Sequence, residues 1–326
     1  MKKQVVAVAV FAALISGAAS AATVYKEDGT KLKIGGRVEF RGDFIGNEDG
    51  EEIQGSMKDT SRARLNFDGS TEINDNLSGF AFYELEQKSG KDDTLESRYM
   101  YVGLESDFGA ISFGKQDMAS VQISDLTDIT EFSGIQQYVD SASDKTRGVI
   151  AYRGQFDDLN VQATYATNNN KDEDQYGVSA LYSLPFGLDI GAAYSAGDNG
   201  KGKGSNNEAL FGLGYTINDL YLGATYSFGD NDDDADDEFT AMEFAAEYKL
   251  TKEFKVRALY AKSEDKVKGD KTDTNDFAEL AGYYKFNSDI STYVAYRLNN
   301  LDSETDKDGY KIQGEDTLRL GVKYEF

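Results

Sequence analysis

The sequence has no cysteine, no histidine and no tryptophan, and Pro185 is its one proline. Without cysteine there are no disulfides, so stability has to come from a core, from closure of a sheet or from assembly. Without histidine a Ser-His dyad or triad cannot be built, and no carboxylate- or lysine-based catalytic motif stands out. We therefore expect no enzymatic activity, no cofactor and no metal site.

Long apolar runs are also missing after residue 22. No window there approaches the eighteen apolar residues that a membrane-spanning helix needs, which excludes a helical membrane protein. A membrane protein of another kind is not excluded, because the short alternating strands of a barrel leave little trace in a hydropathy average.

The N-terminus has the pattern of an export signal. Two lysines at positions 2 and 3 precede an apolar stretch over residues 5–15, and an A-x-A pattern occupies residues 19–21. These features predict a secretory signal peptide over residues 1–21 and a mature chain over residues 22–326. The protein is therefore expected to leave the cytoplasm.

Charge is abundant and unbalanced. The chain has 58 acidic and 34 basic residues, a net charge of −24, in 326 residues. That balance is typical of a soluble acidic protein, but 21 tyrosines and 19 phenylalanines bring the aromatic content to 12%. We expect no nucleic-acid partner for such a chain.

Apolar and polar residues alternate along most of the mature chain. The final segment, residues 317–326, reads TLRLGVKYEF and has an apolar or aromatic residue at every even position. Residues 31–41, 62–68, 254–262 and 290–298 show the same period of two. Each run has about 8–12 residues, the length of a tilted transmembrane strand.

Short and long polar connections alternate between these runs. Tight turns are predicted at residues 74–75, 106–107, 156–158, 184–187, 218–219, 251–252 and 287–289. Longer links are predicted at residues 46–56, 89–93, 116–143, 168–172, 198–205, 229–237, 263–275 and 299–314. Together they predict an all-β protein, a transmembrane antiparallel β-barrel of about sixteen strands.

A soluble β-sandwich or jelly roll is the alternative for so large an antiparallel sheet. The charged second face and the unbroken up-and-down series favour a closed barrel, which leaves no unpaired strand edge in lipid. A ring of about sixteen strands encloses an aqueous channel, so the charges would line water and the apolar side chains would face lipid. The last strand would then pair with the first.

Several segments resemble one family. They are residues 22–32, RARLNFDG at 62–69, VGL at 102–104, GVIAYR at 148–153 and the final Y-x-F. In this order and spacing they resemble the trimeric general diffusion porins of Gram-negative bacteria, over residues 22–326. The resemblance implies a homotrimer in the outer membrane, in contact with lipid and lipopolysaccharide. It also implies that the barrel assembly machinery recognises Phe326 as an assembly signal.

The longest link, residues 116–143, corresponds in order to the third loop of that family, which folds into the barrel and narrows it. Its segment DLTDITEFSG, residues 125–134, resembles the acidic constriction segment of the family, with Thr130 and Ser133 replacing a proline and a glycine. The resemblance implies Asp128 and Glu131 as the acidic residues of the pore constriction. The alternative is a solvated acidic loop.

The same resemblance implies a basic cluster on the opposite wall. Its members would be Arg37, Arg64 and Arg98, with Arg147 or Lys145 as a further member, and Arg62 is added because it lies on the same face of its strand as Arg64. The arginines have the parity of the channel face in the strand pattern, and Glu84 and Glu86 share that face.

The expected function is a water-filled channel for passive diffusion of ions and small hydrophilic solutes. Because the acidic excess is concentrated in the long links, we expect a preference for cations. A substrate-specific channel, for example for oligosaccharides, is the alternative, and it would show an aromatic track along the channel. A barrel enzyme is disfavoured by the missing histidine and cysteine.

Overall fold

The computed structural model describes residues 21–45, 57–90, 94–167, 172–301 and 314–326. Residues 1–20 of the predicted signal peptide lie outside these ranges, as do the whole or most of the predicted links at residues 46–56, 89–93, 168–172 and 299–314. No helix in the described residues is long and apolar enough to cross a membrane.

Eighteen strands are found in the described part of the chain. They are β1 (Ala22–Glu27), β2 (Thr30–Ile45), β3 (Lys58–Asp59), β4 (Arg62–Asn74), β5 (Leu77–Lys88), β6 (Leu95–Ser106), β7 (Gly109–Gln116), β8 (Thr146–Phe156), β9 (Leu159–Ala166), β10 (Gln175–Ser183), β11 (Leu188–Asp198), β12 (Ser205–Ile217), β13 (Leu220–Asp232), β14 (Asp237–Lys249), β15 (Phe254–Val267), β16 (Asp270–Lys285), β17 (Ile290–Asn299) and β18 (Thr317–Glu325).

Sixteen of these strands form a closed antiparallel ring. The ring runs from β2 to β4 and then through every strand in order to β18, which pairs again with β2. Closure leaves no free strand edge, which a membrane requires because hydrocarbon cannot hydrogen-bond a peptide group. The predicted barrel of about sixteen strands is confirmed.

The two remaining strands are short and lie along β2. β3 pairs with Gly42 and Asp43 and extends the line of β4. β1 pairs with the start of β2, from Ala22 opposite Ile34 onward. Phe326 exchanges two backbone hydrogen bonds with Gly36, of 2.9 and 3.0 Å. β18 and β1 therefore lie end to end on the same edge of β2.

The two faces of the barrel differ in chemistry. On β2, Val38 and Phe40 are 56% and 46% exposed, whereas Glu39 between them is 2% exposed. The same contrast recurs around the ring, with Phe244 exposed on β14 and its neighbour Glu243 buried. Because successive side chains of a strand point to opposite faces, the outer face is apolar and the inner face is polar and charged.

Two of the predicted long links are wrong. Residues 263–275 are strand apart from the turn at 268–269, and the link predicted at 229–237 is reduced to a 3-10 turn (Asp233–Ala235) and the following Asp236. Cross-strand ion pairs stabilise these extensions: Lys262–Asp273 at 2.9 Å, Lys266–Glu238 at 2.9 Å and Lys271–Glu264 at 2.6 Å. Such strands carry no apolar alternation, because both of their faces are polar.

Residues 117–145, which we call the β7–β8 loop, have a short helix α1 (Val121–Ser124) and a 3-10 turn (Asp140–Ala142). Side chains of the charged face bind this loop along its length. Ser195 of β11 contacts Ser120, and Asp265 of β15 accepts a hydrogen bond from Tyr138. The predicted long link at 116–143 is therefore a structured segment that packs against strands β9 to β18.

Candidate pore constriction

Four of the predicted basic residues lie together on neighbouring strands. Arg37 of β2 stands opposite Arg64 of β4, and Arg62 lies two residues from Arg64 on the same face. Arg98 of β6 reaches the same group through the carboxylates of β5. The four side chains are 16–19% exposed, so they are partly accessible from the channel.

Three glutamates hold these guanidinium groups in place. Arg62 Nε donates to Glu39 at 2.5 Å, and Arg98 Nε donates to Glu84 at 2.7 Å. Glu86 accepts from Arg64 and lies 3.5 Å from Arg98. Such charge-assisted hydrogen bonds fix the orientation of each guanidinium plane. With four arginines against three glutamates, the cluster carries a net positive charge.

Arg37 is the least constrained member of the cluster. Its Nη2 lies 3.8 Å from Glu39, and its buried Nε has no hydrogen-bond partner in the described residues. A buried unsatisfied N–H is costly unless water or another acceptor reaches it. Arg37 is therefore held less firmly than Arg62, Arg64 and Arg98, each of which donates to a glutamate.

Lys145 and Arg147 occupy different surroundings. Burial, and next the guanidinium of Arg98, lower the pKa of the Lys145 ammonium to about 8. The positive charge of Arg64 also lowers the pKa of Lys145, whereas Arg147 lies near a different cation, Lys115. Arg147 is exposed on β8 with the parity of the inner face. Lys145, at the end of the β7–β8 loop, forms an ion pair with Asp144 and is close enough to Arg98 and Arg64 for their charges to act on it.

The two predicted acidic residues lie in the middle of the β7–β8 loop. Asp128 is exposed and accepts a 2.6 Å hydrogen bond from Ser133 Oγ. Glu131 is half-buried, and its carboxylate accepts a 3.3 Å hydrogen bond from Tyr283 of β16. In the described residues, no hydrogen bond or ion pair joins either carboxylate to the arginine cluster. Asp128 is therefore open to solvent, whereas Glu131 is partly covered by β16.

Buried glutamates of two other strands bind the backbone of the loop. Glu279 of β16 accepts from the N–H groups of Glu131 and Phe132, each at 3.0 Å. Glu243 of β14 accepts from Gly134 N at 2.9 Å and Ile135 N at 3.1 Å. Four backbone N–H groups within residues 131–135 therefore donate hydrogen bonds to two carboxylates.

Two arginines bind carbonyl groups of the same part of the loop. Arg257 donates to Ile129 O, and Arg319 Nη1 donates to Glu131 O at 2.9 Å. Arg319 is itself held by a bidentate pair with Asp43, of 2.7 and 2.9 Å. Sequence reasoning missed these anchoring residues. The alternation of each strand placed them on the inner face as charged side chains that line the channel, but nothing in the sequence indicated that they bind the loop.

Glycines of the barrel wall allow the loop to come close. A Cβ atom at Gly223 would lie 2.2 Å from Leu126 O, and one at Gly212 would lie 2.7 Å from Leu126 Cδ1. No real Cβ atom tolerates such a separation from backbone, so the first position excludes every other residue unless the loop moves. Sequence reasoning missed these positions too, since a glycine in a strand has many possible causes.

Comparisons with known proteins agree with this architecture. The family model described as Gram-negative porin matches residues 6–304. Porin-like protein L of Photobacterium profundum is 32% identical, and outer membrane protein U of Vibrio parahaemolyticus is 33% identical, each over the full length of both chains. A solved structure of Salmonella typhi OmpF in complex with daunomycin has a TM-score of 0.80 at 21% identity, covering 94% of this chain and all of that one. An anion-selective porin from Comamonas acidovorans has a TM-score of 0.75 at 16% identity, covering 91% of this chain and all of that one.

Proposed function

Because the chain belongs to the Gram-negative porin family and resides in the outer membrane, we propose that it forms a water-filled channel for passive diffusion of ions and small hydrophilic solutes. The observation that carries this proposal is the charged inner face, on which the arginine cluster and the β7–β8 loop lie. A closed ring of sixteen strands is wide enough to leave an aqueous channel.

The β7–β8 loop narrows this channel. Its first part contacts β9 to β11 and β13, which include the strands across the ring from the arginine cluster on β2, β4 and β6, and its middle is anchored on β14, β15 and β16 and on β18, the strand next to β2. Asp128 and Glu131 on the loop would then face the arginines across the channel. Opposite charges on two sides of a narrow neck create a transverse field, which orients polar solutes and disfavours apolar ones.

The channel prefers cations. The net charge of the chain is −24, and Asp128 and Glu131 form no ion pair in the described residues, so they would attract cations into the neck. The fold alone does not decide this preference, since the Comamonas acidovorans porin of similar fold is described as anion-selective. Salt at ~0.15 M screens such charges beyond roughly 8 Å, so the preference should weaken at high ionic strength.

A homotrimer is the assembly we propose, with outer-membrane lipid and lipopolysaccharide around it. A solved neighbour is described as the trimer form of OmpT from Vibrio cholerae. Each subunit would contain its own channel. Three equal closing steps in the current through one inserted unit would support this assembly, and single steps would contradict it.

A general channel is favoured over a substrate-specific one. The inner face does carry the aromatic rings of Phe80, Phe82, Tyr99 and Tyr101 on β5 and β6. The centroid of Phe82 lies 6.0 Å from that of Tyr99 and 5.6 Å from that of Tyr101. Phe80 and Phe82 are only 7% and 5% exposed, so they pack on neighbouring rings and do not present a continuous track to a solute.

The test is the reversal potential in planar bilayers under a salt gradient. The wild-type protein should show a cation preference, and the double variant Asp128→Asn with Glu131→Gln should lose much of it. A matched control, Asp157→Asn with Asp158→Asn in a short turn, removes the same charge at the rim and should change the potential less. An unchanged reversal potential in the loop variant would place its carboxylates outside the constriction.

A further inference from the structure

An apolar groove lies on the outer face of the barrel, across strands β11 to β15. Its volume is ≈ 760 Å³. Ala224, Ala246 and Ala258 form its floor, and larger side chains such as Leu222 and Phe244 rise beside them. Leu222 and Phe244 are 44% and 52% exposed, so the groove opens on the apolar outer face.

The strand register explains why a groove forms here. Ala246 pairs with Ala258 on one side and with Leu222 on the other, while Ala224 pairs with Phe244. Small side chains are therefore neighbours across strands, and the aromatic and aliphatic side chains stand around them. The depression is about one side chain deep, since the backbone of the strands forms its base.

The groove begins near the rim that carries the short turns. Phe186 lies in the turn between β10 and β11, and the opposite limit is Tyr260 in the middle of β15. Four strand spacings separate β11 from β15, roughly 19 Å. One leaflet contributes roughly 15 Å of hydrocarbon. Because barrel strands are tilted by roughly 35–45°, the 19 Å has a component of about 11–13 Å along the membrane normal, which is within the reach of one acyl chain that enters from the short-turn side.

Hydrocarbon surrounds this face in the membrane, so transfer from water supplies no driving force for an occupant. What remains is close packing in the groove, together with contacts to the polar headgroup. A void beside the alanine floor would forfeit dispersion contacts on one side, and a flexible chain is the shape that fills it.

Charges of both signs stand at the short-turn end of the groove strands. Asp219 precedes β13 and Lys252 follows β14, and the two turns touch through a 2.9 Å bond from Lys249 N to Asp219 O. Both side chains are exposed, and neither forms an ion pair in the described residues. Asp219 is three residues from Leu222, or roughly 10 Å along the strand. This pair complements a headgroup that contains both a phosphate and an ammonium.

We propose that the groove is a binding site for one zwitterionic phospholipid of the periplasmic leaflet. Its acyl chain lies over Ala224, Ala246 and Ala258, its phosphate contacts Lys252 and its ammonium contacts Asp219. The periplasmic leaflet is implied because bacterial barrels place their short turns on that side. The inference rests on residence in the outer membrane and not on the proposed ion preference.

The test compares retained lipid in three proteins. Wild type, Ala246→Phe and Ala180→Phe are extracted from outer membranes in mild detergent without added lipid, and native mass spectrometry counts the bound molecules. Ala246→Phe fills the groove floor, whereas Ala180 is an exposed outer-face alanine on β10, away from the groove. We expect about one phospholipid per chain in wild type and Ala180→Phe, and at least about fivefold less in Ala246→Phe.

The other outcomes overturn the proposal. Equal retention in the three proteins would show that the groove holds no specific lipid, and bound detergent or lipopolysaccharide in place of phospholipid would contradict the occupant. Loss of the oligomer in Ala246→Phe would mean that a second copy of the chain covers the groove. If Ala246→Phe does not fold, the smaller filler Ala258→Leu answers the same question.

The headgroup contact has its own test. Wild type and Lys252→Glu are placed in detergent with increasing amounts of phosphatidylethanolamine or phosphatidylglycerol. We expect wild type to bind the zwitterionic lipid severalfold more tightly than the anionic one, and Lys252→Glu to bind both more weakly. Equal binding of the zwitterionic lipid by both proteins would remove Lys252 from the site. The channel current of both proteins should be the same, which separates this result from the proposed function.

Discussion

Glu279 offers the sharpest test of how the β7–β8 loop is held. Each of its two carboxylate oxygens accepts one backbone N–H, from Glu131 and from Phe132, both at 3.0 Å. In Glu279→Gln one oxygen becomes an NH2 group, which cannot accept a hydrogen bond. One of the two backbone N–H groups must therefore lose its acceptor, whichever way the amide is oriented.

The size of the effect follows from this count. Leaving one buried donor unsatisfied costs about 1–3 kcal/mol. Applied to the equilibrium between the anchored loop and a locally detached loop, that cost corresponds to a roughly 5- to 150-fold larger detached population. Glu279→Ala removes both acceptors and should have an effect at least as large.

Amide hydrogen exchange measures that population directly, because exchange of a protected N–H requires local opening. Peptides that include residues 129–135 should exchange about 5- to 150-fold faster in Glu279→Gln. Single-channel currents should also show more frequent transitions between conductance levels. The matched control is Glu238→Gln on β14, since Glu238 is exposed and pairs with Lys266 without touching the loop. Exchange in residues 129–135 that stays within about twofold of wild type would refute the anchoring role.

Two further predictions concern the same channel. In Gly223→Val the new Cβ would lie 2.2 Å from Leu126 O, so the loop should shift and the conductance should change. Gly282→Val is the control, because its nearest contact is 3.5 Å and it should behave as wild type. Equal conductance in both variants would mean that the position of the loop does not depend on its close contact with Gly223. Lys145, with a pKa lowered to about 8, should lose its charge between pH 7 and pH 9. The wall then becomes less positive, so the reversal potential should indicate a stronger cation preference as the pH rises. Lys145→Gln should show that stronger preference already at pH 7 and no further change with pH. A pH response that persists in Lys145→Gln would mean that another group titrates.

The parity of side chains could be predicted from the sequence, and the partners of the loop could not. The alternation in residues 317–326 placed Leu320, Val322 and Tyr324 on one face, and these are 39%, 50% and 48% exposed on the outer wall. Parity is a local property, set by the period of a strand. The bond from Arg319 to Glu131 O depends on which strands the loop reaches, and this is decided by the closure of the whole ring.

The sequence pattern also failed to predict the strand segments that extend beyond the apolar outer face of the barrel. The turn between β15 and β16 at Lys268 and Gly269 is a tight hairpin, where a long polar link was expected. The strands beside it are joined by Lys–Asp and Lys–Glu pairs in place of apolar contacts. A search for alternating apolar residues does not detect such segments, because both of their faces are polar.

The seam between β18 and β2 has a consequence for how the protein reaches its native state. It joins residues about 280 positions apart, so it forms only after nearly the whole chain has been laid down in order. Until then the edges of β2 and β18 expose unpaired peptide groups, which invite pairing with other chains. Folding should therefore end with a slow, all-or-none joining event, and an intermediate stalled before that event should aggregate unless another protein shields its two open edges.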